Sequence, residues 1–117
     1  MANSIFAEER IGGRQVRTHT LEAPTTGGWT PIDLTGIEVH LHYKYPGARE
    51  WTTISTEDVN SEIAKPSPSS GEMVFSPLRT FYHKTGLWKF YYEVIDVPEL
   101  AIPNSDLFII EVKDGKP

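Results

Sequence analysis

The chain has 117 residues, 38% of them apolar and 23% charged, a balance that suits one domain with a real core and excludes a disordered chain. Its 11 basic and 16 acidic residues leave a formal charge of -5, which argues against a sequence-independent nucleic-acid binder, since that needs surplus Lys and Arg. The absence of cysteine excludes disulfides, thiolate catalysis and cysteine-ligated zinc, no apolar run approaches the roughly 20 residues of a membrane span, and the first ten residues lack the layout of an export signal.

Residues 1–13 stand apart as a candidate N-terminal arm ahead of a domain over 14–117. Ile5, Phe6 and Ile11 are apolar, Glu8, Glu9 and Arg10 lie between them, and Gly12-Gly13 supplies a hinge. Such a segment either docks on a neighbouring subunit or forms a frayed terminus or first edge strand. A weak strand is expected over Gln15–Leu21. Gly27-Gly28 then forms a turn, and Trp29 follows it in a loop. Over Gly36–Tyr45 the residues Ile37, Val39, Leu41, Tyr43 and Tyr45 share one parity, and Glu38, His40, His42 and Lys44 the other. Side chains alternate faces along a strand, so this is a half-buried strand with one wet face.

Pro46-Gly47 ends that strand in a turn, and Glu50–Ser55 reads as its hairpin partner. The only helix candidate is Thr56–Ala64, where Val59 and Ile63 sit four apart; it is one or two turns long and depends on tertiary packing. Pro66–Gly71 is a loop by composition, Glu72–Phe75 a short strand, and Ser76–Arg79 a turn. Gly86–Asp96 is a second strong strand, with Trp88, Phe90, Tyr92 and Val94 on one face and a mixed opposite face. Pro98 and Pro103 bracket a loop, and Asp106–Lys113 is the last strand, its apolar run Leu107–Ile110 suggesting burial on both sides. Six or seven short strands with almost no helix predict an all-β, antiparallel, immunoglobulin-like β-sandwich.

Chemistry is sparse. His40 and His42 sit two apart on one strand face with Glu38, a spacing that can aim two imidazoles and a carboxylate at a divalent ion; a solvated face that happens to carry histidines has the same pattern. His19 and His83 add no recognisable spacing, and no metal ligands are assigned. Glu93 and Asp96 fall on opposite parities, and Glu57, Asp58 and Glu62 lie in the helix candidate, so no paired carboxylates emerge. No Gly-x-Ser-x-Gly elbow or phosphate-cradling loop occurs. Catalytic residues, cofactor-binding residues and cofactors are therefore all assigned as none. The aromatics carry more: 3 Trp, 5 Tyr and 5 Phe. Trp88, Phe90 and Tyr92 share the core parity, whereas Trp29 and Tyr91 are free to meet a partner. Exposed aromatics mark protein interfaces; Trp29, Trp51, Trp88, Tyr91 and Tyr92 are the rings that could line a sugar platform, the core parity of Trp88 and Tyr92 notwithstanding.

The order of landmarks resembles a known family. Asp33-Leu34-Thr35-Gly36 leads into the alternating strand and a Pro-Gly turn; Gly71-Glu72-Met73-Val74-Phe75 follows; then come Gly86-Leu87-Trp88 through Val94 and Phe108-Ile109-Ile110-Glu111-Val112. This series, over roughly residues 30–113, resembles the N-terminal domain of phage baseplate upper proteins and related immunoglobulin-like domains of phage tail proteins. The resemblance implies a non-enzymatic virion structural protein of the tail, baseplate or neck, made in the host cytoplasm. Its partners would be other virion subunits and further copies of itself in the particle, with no nucleic acid or membrane. Ile5, Phe6, Trp29 and Tyr91 are the expected partner contacts. The alternative is a carbohydrate-binding sandwich that recognises a host-surface glycan.

Overall fold

A strand buries one face when every second side chain is apolar, and the residues with the cleanest alternation form the centre of the largest sheet. A computed structural model describes residues 5–95 and 108–114. Among these residues the strands run β1 (Ile5–Arg10), β2 (Arg17–Thr20), β3 (Glu22–Thr25), β4 (Gly28–Pro31), β5 (Val39–Lys44), β6 (Thr52–Ser55), β7 (Ile63–Ala64), β8 (Glu72–Phe75), β9 (Gly86–Val94) and β10 (Phe108–Lys113). They build a five-stranded sheet in the order β1-β10-β9-β5-β6, a three-stranded sheet β2-β8-β7, and the two-stranded ribbon β3-β4. The protein is nearly all-β, as expected, and the arrangement is compatible with a β-sandwich. All pairings are antiparallel except β1 with β10, which is parallel.

The core lies between the five- and three-stranded sheets. Val39, Leu41, Trp88, Phe90, Tyr92, Phe108 and Ile110 are buried from the larger sheet, and Ile63, Met73 and Phe75 from the smaller. Aromatic contacts join the layers: Phe75 meets Phe90 with centroids 5.8 Å apart, and His19 lies 4.5 Å from Phe108. Each large apolar side chain removed from water contributes about 1.5–3 kcal/mol, so this layer outweighs any single polar contact. Phe81 and Tyr82, from the connection before β9, close one end against Trp88, whose indole Nε1 donates to the Lys84 carbonyl at 3.0 Å.

Several expectations change. Of the readings for the N-terminal segment, the edge strand matches the register: Ile5–Arg10 pairs along its length with Phe108–Lys113. Trp29 stands in β4, where Pro24 pairs with Trp29 and Thr25 with Gly28, leaving a two-residue hairpin connection. Thr56–Ala64 forms no helix. The Ser55 hydroxyl accepts from Glu57 N at 3.0 Å, the Asp58 carboxylate accepts from Ser55 N at 2.9 Å, and Asn60 turns left-handed at φ 56. Side-chain bonds to nearby backbone compete with helix formation, and Val59, an intended anchor of the helix, is 90% exposed. Among the described residues the helical feature is a single 3₁₀ turn at Pro68–Ser70, inside the expected loop. The Lys65 ammonium ties neighbouring segments together by donating to the carbonyls of Leu34, at 3.2 Å, and Ile37. Asp96, the Pro98–Pro103 loop, Asp106 and Leu107 lie outside the described residues, as does the start of the proposed arm, residues 1–4.

Candidate functional site

Alternation gives the five-stranded sheet a second face, turned away from the core. The register places His40 opposite Glu93, His42 opposite Tyr91 and Lys44 opposite Lys89 between β5 and β9. It places His40 opposite Ser55 and His42 opposite Thr53 between β5 and β6. Residues directly opposite on one face approach within side-chain reach. Polar groups from three strands therefore converge around the two histidines.

The polar contacts there are short. His42 Nε2 and Glu93 Oε1 are 2.7 Å apart, and His42 Nδ1 lies 2.8 Å from Thr53 Oγ1. His40 Nε2 is 2.7 Å from Glu38 Oε2, which also accepts from Ser55 Oγ at 2.6 Å. The Ser55 hydroxyl, then His40, holds the Glu38 carboxyl below its usual range. One potential ligand atom from each of His40, His42 and Glu93 lies within 4.8 Å of the other two. Glu38 braces His40 from behind, whereas Glu93, from the next strand, completes the trio. The expected grouping of Glu38 with both histidines is thus rearranged by the register.

Aromatic rings border this cluster. Tyr91 stacks on His42 with centroids 4.7 Å apart and meets Trp51 edge-on at 5.0 Å; Lys44 Nζ lies 5.8 Å from the Trp51 ring. Tyr91 is therefore half-buried among neighbours, while Trp51 is 39% exposed. Trp29, 52% exposed, lies apart from this face on the β3–β4 ribbon. Ile5 and Phe6 share the β1 pairing, and their side chains lie outside the described residues. Trp29 and Tyr91 thus belong to different sheets.

Acids of the connection after β6 bind backbone amides: besides Asp58, the Glu62 carboxylate accepts from Leu78 N at 2.8 Å. His19 sits between the sheets, its Nδ1 3.2 Å from the Tyr92 hydroxyl. Burial first, and the Arg17 charge second, hold its imidazole below the ordinary histidine value. Sequence reasoning missed the roles of Glu93, Thr53 and Ser55. Only the shared parity of Glu93 and Tyr91 hinted at a common face, because cross-strand neighbours depend on register. No protein-family model and no curated protein matches this chain.

Proposed function

We propose that this protein is a non-enzymatic structural subunit of a bacteriophage particle, in its tail, baseplate or neck, and that it works by holding other virion subunits and copies of itself. The observation that carries the reading is Trp29, half exposed on a ribbon whose β4 strand is exposed at every residue. A large aromatic presented to water is the residue type that anchors protein interfaces. The order of structural motifs that resembles phage tail domains supports the class of assembly. The test is mass photometry of the purified chain, alone and co-expressed with the products of its genomic neighbours. A defined complex that Trp29→Ala weakens supports the reading; a chain that stays monomeric and captures none of those products overturns it.

The row His42–Tyr91–Trp51 favours a second reading, a module that binds a host-surface glycan, because exposed aromatic faces stack on pyranose rings. Binding on a glycan array that is lost in Trp51→Ala supports that reading. A silent array counts against it.

A further inference from the structure

We propose that His40, His42 and Glu93 form a surface site for one divalent transition-metal ion of the zinc class. Two imidazoles and a carboxylate are a donor set for zinc and its first-row neighbours, and a poor one for calcium or magnesium, which take oxygen. The three side chains come from two adjacent strands of a sheet whose opposite face is packed core, so the backbone beneath them is rigid. Their ligand atoms span at most 4.8 Å. Zinc bonds of about 2 Å set tetrahedral ligand atoms roughly 3.3 Å apart, so closure needs side-chain shifts on the order of 1 Å and no movement of the strands.

The groups behind the histidines are already placed. Glu38 accepts at His40 Nε2 and is itself held by Ser55, so Nδ1 is the nitrogen of His40 that keeps a lone pair for an ion. A carboxylate behind a ligating imidazole fixes its tautomer and raises its basicity. Thr53 meets His42 at Nδ1, which leaves Nε2, beside Glu93, for the ion. An ion at His42 Nε2 takes the neutral imidazole with its proton on Nδ1, where the Thr53 hydroxyl accepts it. No net oxidation occurs, and the ion's remaining positions stay open to water.

The two-residue spacing of His40 and His42 alone does not define this site. It requires Glu93, 51 residues downstream of His42, and the β5–β9 register that sets Glu93 opposite His40.

The test is calorimetric titration of the full, untagged chain with Zn²⁺, with Ca²⁺ as the hard-cation contrast. One Zn²⁺ per chain is expected, without matching Ca²⁺ binding. His40→Gln and Glu93→Gln should each weaken Zn²⁺ at least tenfold, and His83→Gln should leave it unchanged. Absence of saturable Zn²⁺ binding, or affinity untouched by both substitutions, overturns the proposal. Paramagnetic broadening by Cu²⁺ in the unaltered chain decides the matter without any variant. Loss of amide signals centred on residues 40–42 and 91–93 supports the site; loss centred on His19 or His83 overturns it.

Discussion

Phe90 and Phe108 lie almost parallel, ring centroids 4.9 Å apart and planes 6° from each other, as directly paired residues of β9 and β10. Parallel rings at this separation are offset stacks, the arrangement that the ring quadrupole favours. Both are buried, so the pair joins the last strand to the strongest one. Phe90→Ala should cost about 3–5 kcal/mol, a large share of a typical domain's stability. Urea unfolding checks this; a midpoint shift equivalent to under about 1 kcal/mol would show that the core refills around residue 90.

Gly71 and Gly36 both adopt left-handed backbone, at φ 71 and 72, yet differ in surroundings. A Cβ on Gly71 would lie 2.6 Å from the Leu21 carbonyl oxygen and 2.9 Å from that of Ile32, whereas one on Gly36 meets open space. Gly36→Ala should therefore cost only the conformational strain, about 1–2 kcal/mol. Gly71→Ala adds a backbone clash and should cost clearly more. Equal shifts in urea midpoint for the two variants would contradict the close approach at Gly71.

Removing residues 1–10 should lower the melting temperature by about 5 °C or more and promote self-association. The deletion strips the parallel partner from β10 and removes the Glu8 carbonyl that accepts from Arg17 at 3.0 Å. Lost ladder bonds contribute about 1 kcal/mol each, and an uncovered strand edge invites pairing with other chains. The surface ion pair Lys113–Glu8 adds little by comparison. Calorimetry and light scattering read the two effects. Unchanged melting would mean that this segment serves as a dispensable arm.

His19 should make stability fall on mild acidification. Its folded imidazole titrates below the unfolded value of about 6.5. As pH drops from about 6.5 toward the folded value, the unfolded chain takes up a proton that the folded chain refuses, and stability declines. Above that window this contribution is fully present. His19→Phe keeps a ring against Phe108 and Tyr92 but removes the titration. Its stability should vary less between about pH 5 and 7 than that of the unaltered chain, measured by urea midpoints at each pH. Parallel profiles would rule out His19 as the source.

What the sequence determined by itself is local. Side chains alternate faces along any strand, so Ile37–Tyr45 and Trp88–Val94 declared their buried and wet faces without reference to the rest of the chain. Pro46-Gly47 declared a turn for the same reason: its backbone preferences act over a few residues. Partnership is not local. Nothing within Ile5–Arg10 says that it lies parallel to β10, and nothing within Thr56–Ala64 says that Ser55 and Asp58 bind the backbone and displace a helix. The meeting of His42 with Glu93 depends on register, and a slip of one residue would turn Glu93 to the core face. Only the packing of two sheets over a shared aromatic layer selects that register, because it is there that the free energy of burial discriminates between alignments.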